Sequence, residues 1–132
     1  MSRLRFDSEL QWADTVTTNN TTTTSDAIYT GKKSGLTCAL IASAATDGET
    51  FTITVTGSTA EAGTYYDVAS GTLVGPTGGA DRSIEIDFTA YYPWVKVEVT
   101  AGASGTIVYD GWIGEASTKS IPYQAFGDDD IY

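Results

Sequence analysis

Three stretches of the chain alternate apolar and polar residues almost without exception, and this alternation restricts the possible folds more than any other sequence feature. The stretches are Thr50–Gly57, Ser83–Thr89 and Trp94–Thr100. Successive side chains of a β-strand point to opposite faces, so each stretch has one apolar face and one polar face. Strands of this kind are typical of antiparallel sheets that are buried on one side and solvated on the other. The alternation therefore predicts an all-β fold.

The remaining strands are read from composition and spacing. Leu36–Ser43 is mostly apolar and predicts a central strand covered on both faces, with a helix as the competing interpretation because Ala and Leu favour helices. Ala27–Thr30 predicts a short strand, and Thr106–Ile113 predicts the last strand, in a hairpin with the one before it. Thr17–Ser25 is polar and of low complexity, which predicts a loop or an exposed linker. About eight short strands spaced roughly 8–12 residues apart predict an antiparallel β-sandwich of jelly-roll type.

The chain has 132 residues, which suits one domain with a substantial core. We expect an N-terminal arm or edge strand over residues 1–16, the sandwich over residues 17–114 and a C-terminal arm over residues 115–132. Both arms carry large apolar side chains without a helix or strand pattern that would bury them. Segments of this kind usually become ordered on a partner, so we expect at least one arm to dock on a neighbouring subunit.

The charge of the chain argues against several kinds of partner. Seven Lys and Arg residues face 17 Asp and Glu residues, a formal net charge of −10. Such a surface repels phosphate groups, so we expect neither a nucleic-acid partner nor an anionic membrane. No stretch approaches the roughly 20 apolar residues of a membrane span. Met1–Asp7 is not followed by an apolar core, so we expect no signal peptide and synthesis in a cytoplasm.

Few residues suggest chemistry. The chain has no His, and its single cysteine, Cys38, lies in an apolar strand, where a thiol usually packs as a small hydrophobe. Glu85 and Asp87 have a spacing that a glycosidase could use, but they alternate with apolar residues and are predicted to lie on a solvated face. Asp128–Asp130 offers oxygen ligands without the spacing of a calcium loop, which favours a frayed terminus. We therefore expect no enzyme activity, no metal site and no cofactor.

The aromatic residues are the main candidates for contact. Tyr and Trp on a sandwich surface can stack on sugars or form hot spots in protein interfaces. Trp94 and Trp112 fall on the polar faces of their strands, where partial burial under a loop is the alternative to an interface role. The predicted protein-interface residues are these two and three aromatics of the arms: Trp12, Tyr123 and Phe126.

Three segments of the sequence together resemble the small jelly-roll capsid cement (decoration) proteins of tailed bacteriophages. The first is the opening FDSELQWADTVTT, followed by TTSDAIYTG. The second is FTITVTGSTAEAGTYYDVASGTLV, and the third is the final hairpin WVKVEVTAGASGTIVYDGWIG. They span most of Phe6–Gly114, and they carry the resemblance through strand patterning in a familiar order.

This resemblance implies a non-enzymatic structural protein of the virion, bound to the outer face of the capsid. Its implied partners are the phage major capsid protein and further copies of itself, as a homo-dimer or homo-trimer. The alternative is a carbohydrate-binding β-sandwich module or a phage fibre domain. Sugar sites usually combine aromatics with a polar cluster in one loop, and no loop of this sequence shows both.

Overall fold

The computed structural model describes residues 10–75, 82–102 and 104–115. Within these ranges the chain forms nine β-strands and no α-helix. The strands are β1 (Gln11–Asn19), β2 (Thr22–Thr24), β3 (Ile28–Tyr29), β4 (Lys33–Ala45), β5 (Thr50–Ser58), β6 (Tyr66–Val74), β7 (Arg82–Ala90), β8 (Trp94–Ala101) and β9 (Thr106–Glu115).

The strands form two antiparallel sheets packed as a sandwich. The four-stranded sheet has the order β1-β9-β4-β7, and the five-stranded sheet has the order β2-β8-β5-β6 with β3 also paired to β8. The pairs are nested along the chain, because β1 meets β9, β2 meets β8, β4 meets β7 and β5 meets β6. This rolled arrangement is a jelly roll, and it confirms the predicted fold class.

The three alternating stretches are strands in the predicted register. Phe51, Ile53 and Val55 on β5 are fully buried between the sheets, and so is Val97 on β8. Strand β4 is central in its sheet, and both of its faces are buried from Leu36 to Leu40. The strand interpretation of this segment is therefore right, and the helix interpretation is wrong.

The segment Thr17–Ser25 corrects a sequence prediction. Its residues complete β1 and form β2, and Thr18 is fully buried rather than exposed. The hydroxyl of Thr18 lies 2.9 Å from the hydroxyl of Tyr109 and 2.7 Å from that of Thr23. Threonine can be buried here because its hydroxyl is hydrogen-bonded, which composition alone does not reveal.

Strand β1 crosses the predicted boundary at residue 16. It begins at Gln11 and forms one edge of the four-stranded sheet, so residues 11–16 belong to the sandwich. Of the predicted arms, residues 1–9 and 116–132 lie outside the described residues. No helix in the described ranges is long and apolar enough to cross a membrane.

Candidate interaction surface at one end of the sandwich

Exposed aromatic side chains collect where several strands meet at one end of the sandwich. The end of β3 pairs with the start of β8 through Tyr29 and Trp94, and the end of β5 pairs with the start of β6 through Gly57 and Tyr66. The loop before β8 adds Tyr91 and Tyr92. We call the following residues the aromatic end: Tyr29, Tyr65, Tyr66, Tyr91, Tyr92 and Trp94.

Three residues of the aromatic end are among the most exposed apolar side chains of the described ranges. Tyr91 is 67% exposed, Tyr29 is 63% exposed and Tyr66 is 56% exposed. The two other large apolar side chains exposed in these ranges, Ile41 and Val74, lie elsewhere. Clustered exposed aromatics mark a contact surface more often than scattered ones do, because an isolated apolar side chain is normal on any surface.

On the outer face of the five-stranded sheet, Tyr29 and Trp94 form a pair. Their ring centroids are 5.2 Å apart at an interplanar angle of 72°, an edge-to-face contact. Both project outward because their strand neighbours Ile28 and Val95 are buried. The pair is held in place by the main chain, since Thr30 and Gly31 donate backbone hydrogen bonds to the carbonyl of Pro93.

A second pair, Tyr66 and Tyr92, lies at the tip of the sandwich with centroids 6.0 Å apart. Tyr92 packs directly on Gly57. A Cβ at Gly57 would lie 2.9 Å from Cδ2 of Tyr92, which is closer than real Cβ contacts occur. The glycine therefore allows the tyrosine to close the end of the core, and Tyr66 then rests against it.

Lys96 adds a positive charge to the same surface, where it lies over the ring of Tyr65. The Lys96 ammonium lies 4.6 Å from the centroid of the Tyr65 ring, within the range of a cation–π interaction. The Tyr65 hydroxyl donates to the carbonyl of Glu61 at 2.7 Å, which fixes the ring over the lysine. Desolvation, followed by the Glu61 carboxylate, raises the pKa of Tyr65, so its phenol is protonated at neutral pH.

A small pocket adjoins the aromatic end where β1, β3, β4 and β9 meet. Its volume is about 100 Å³. It is lined by Leu10, Tyr29, Thr30, Lys33, Leu36, Ile113 and Gly114. The lining is mostly apolar, with Thr30 and Lys33 as its polar members.

The described residues contain no cluster of three or more His, Cys, Asp or Glu residues that could hold a metal ion. Cys38 is 1% exposed, and its burial raises the pKa of the thiol from 9.0 to about 12. A thiol of this kind is inert at neutral pH, as its place in an apolar strand predicts.

Trp12 lies in a place that the interface prediction did not foresee. It is buried in the core of the sandwich, with its ring 5.8 Å from that of Tyr109 and its Nε1 donating to the carbonyl of Trp112 at 3.1 Å. It packs on Gly111, where a Cβ would overlap the indole. The sequence shows a tryptophan in a weak pattern near the N-terminus, but the glycine that receives it is 99 residues away.

The other predicted interface residues are not brought together. Trp94 belongs to the aromatic end, whereas Trp112 is half-buried on the outer face of the four-stranded sheet, beside Ala39. Tyr123 and Phe126 lie outside the described residues, so their interface role stays a prediction.

Sequence reasoning did not select Tyr29, the residue that completes the pair with Trp94. Its only signal was its place beside the apolar Ile28 in a short strand, where alternation puts it on the outer face. Tyr65, Tyr66, Tyr91 and Tyr92 are visible as two Tyr-Tyr pairs, but nothing in the sequence shows that the two pairs meet.

The described residues form a jelly-roll β-sandwich with exposed aromatic side chains at one end. The sequence matches no protein-family model, and no curated protein matches it significantly. Among solved structures, the CBM22-1–GH10 modules of the Clostridium thermocellum endo-1,4-beta-D-xylanase 10B, complexed with xylohexaose, align with 92% of this chain at 12% identity and a TM-score of 0.45. This chain spans 28% of that one. An alignment at this level does not support transfer of a ligand or an activity.

Proposed function

We propose that the protein is a structural decoration protein, which binds the outer face of a phage capsid and strengthens contacts between major capsid protein subunits. The observation that carries the proposal is the aromatic end, a cluster of exposed tyrosines on an otherwise acidic, hydroxyl-rich sandwich. Tyr and Trp are enriched among the residues that dominate protein interfaces, and each can bury about 150–250 Å².

The charge of the chain supports the same proposal. A net charge of −10 keeps the free protein soluble at the concentration that a many-copy shell component requires. It also disfavours contact with nucleic acid, which suits a site outside the shell. Several weak contacts per copy then add up, because a protein that touches two subunits gains avidity.

Alanine variants of two exposed residues of the aromatic end, Tyr66 and Tyr91, test the proposal. Tyr66→Ala and Tyr91→Ala remove exposed rings, so the melting temperature should change little, while the affinity for particles that lack the protein should fall about tenfold or more for each. Ile41→Ala is the matched control, since its side chain is exposed and lies on β4, away from the aromatic end. Undiminished decoration by the double tyrosine variant would show that the aromatic end is not the contact surface, and failure of the wild-type protein to bind such particles would overturn the decoration function.

A second candidate function, glycan binding, is favoured by one specific observation. The Tyr29–Trp94 pair continues into rows of hydroxyl side chains on the same face, where Thr22 and Thr52 flank Thr100 and where Thr24 and Thr54 flank Glu98. Aromatic rings beside hydrogen-bonding groups match the two surfaces of a sugar ring. Retention of the isolated protein on immobilised neutral polysaccharide, lost in Trp94→Ala, would favour this function; particle binding without retention would favour decoration.

A further inference from the structure

The strands at the edges of the two sheets differ in how well they are protected from pairing with another chain. In the described part of the protein the edges are β1 and β7 in one sheet, and β6 opposite the short strands β2 and β3 in the other. An edge strand exposes a row of unpaired backbone groups. Proteins usually block such a row with charges, bulges or short strand length.

Three of the four edges are blocked in these ways. Strand β1 is interrupted by two register shifts, and Thr15 within it adopts a positive φ of 52°. Strand β7 carries three charged residues, Arg82, Glu85 and Asp87. The edge made by β2 and β3 consists of one three-residue strand and one two-residue strand.

Strand β6 lacks these protections over residues 69–74. From Ala69 to Val74 it pairs with β5 in unbroken register, and this run contains no charge and no proline. The only charged residue of the strand, Asp67, lies beyond a register shift. Ser70, Thr72 and Val74 are exposed on the outer face.

The direction of the free backbone groups follows from one hydrogen bond. The N–H of Gly75 donates to the carbonyl of Glu49 at 2.9 Å, on the β5 side of the strand. Backbone groups of an antiparallel strand alternate in direction from residue to residue. The N–H and C=O groups of Ser70, Thr72 and Val74 therefore point away from β5, toward the open edge.

We propose that β6 pairs antiparallel with β6 of a second copy of this chain, about a two-fold axis at Thr72. The outward groups are arranged symmetrically about that residue, so Thr72 faces its own counterpart, while Ser70 faces Val74 of the second copy. All three side chains are small and uncharged, and a two-fold interface requires such self-complementarity. The axis passes between the β6 strands of the two copies. The pairing joins the five-stranded sheet of one copy to that of the other.

The pairing goes beyond the proposed decoration function and does not depend on it. It would also serve that function. Antiparallel pairing points the two aromatic ends in opposite directions, because β6 begins at Tyr66 in each copy. A pair that lies flat on a shell would reach two different subunits.

Cysteine cross-linking tests both the pairing and its register. Residues that face each other in a hydrogen-bonded antiparallel pair have Cα atoms about 5.5 Å apart, which a disulfide can span. Under mild oxidant, Thr72→Cys should form a covalent dimer, and so should the double variant Ser70→Cys with Val74→Cys. Ser70→Cys alone and Ser83→Cys on the charged edge β7 should remain monomeric on a non-reducing gel. Cys38 is buried and should not react.

Light scattering of the reduced protein supplies the second readout. The wild-type protein should show a mass of twice 13.9 kDa at high concentration. Thr72→Pro removes an N–H that points away from β5, so the variant should fold, melt like the wild type and be monomeric. Thr72→Val keeps the N–H and should remain dimeric. A monomeric wild-type protein at millimolar concentration, or a dimer that persists in Thr72→Pro, would overturn the proposal, and if Thr72→Pro fails to fold, the cross-linking result decides.

Discussion

At the scale of single residues, buried groups of the core depend on a few specific partners. Tyr109 is 2% exposed, yet its hydroxyl is satisfied by Thr18, and its ring lies against Trp12. Trp12 in turn needs Gly111 beneath it. Each of these contacts joins residues that are far apart in the sequence, which is why the sequence suggested an exposed role for Trp12.

The buried thiol should lower the stability of the protein at alkaline pH. Burial raises the pKa of Cys38 from 9.0 to about 12, against a smaller opposing contact with Trp12, and burial also raises the pKa of Tyr109. A group whose pKa is raised in the folded state contributes stability that is complete below its unfolded pKa and is lost as pH rises toward the folded value. The free energy of unfolding should therefore fall above about pH 9, by at most about 1.4 kcal/mol per pH unit from this thiol.

Urea unfolding between pH 8 and pH 10 measures this loss. In Cys38→Ala the decline should be markedly shallower than in the wild type, although the variant begins from a lower stability because a methyl-sized gap replaces the sulfur. If the free energy of unfolding fell equally steeply with pH in the two proteins, the account would be wrong. Cys38 would then not lose its proton more readily in the unfolded chain than in the folded protein.

At the scale of elements, alternation predicted strands well, and composition predicted loops poorly. Thr50–Gly57 is one residue shorter than the observed β5, and Ser83–Thr89 lies within β7 with one residue to spare at each end. Alternation succeeds because one face of each strand meets the core. Strand β2 was missed because its threonines are held by hydrogen bonds across strands, such as Thr22 to Thr100 at 2.9 Å, and not by apolar burial.

The buried end of β1 provides a test of that explanation. Thr18→Val removes the hydroxyl that pairs with Tyr109 and Thr23, and it leaves the buried phenol without this partner. The loss should lower the free energy of unfolding by about 1–3 kcal/mol. Thr17→Val, on the exposed face of the same strand, should have little effect. Equal stability of the two variants in urea would mean that burial of Thr18 does not depend on its hydrogen bonds.

At the scale of the whole molecule, the jelly roll was predictable, but the aromatic end was not. Strand number and spacing restrict the architecture, because about eight short strands with a turn every 8–12 residues are typical of sandwiches and jelly rolls. The aromatic end is assembled from the end of β3, the starts of β6 and β8, and the loops that precede β6 and β8. Only the pairing of distant strands brings Tyr29 to Trp94 and Tyr66 to Tyr92.

Cryo-electron microscopy of particles that contain the protein tests the central proposal most directly. We expect density for the sandwich on the outer face of the shell, with the aromatic end against a major capsid protein subunit and Tyr66 or Tyr91 buried at the contact. A shell whose outer surface lacks this density would contradict the decoration function. Density in which the aromatic end faces solvent would contradict its role as the contact surface.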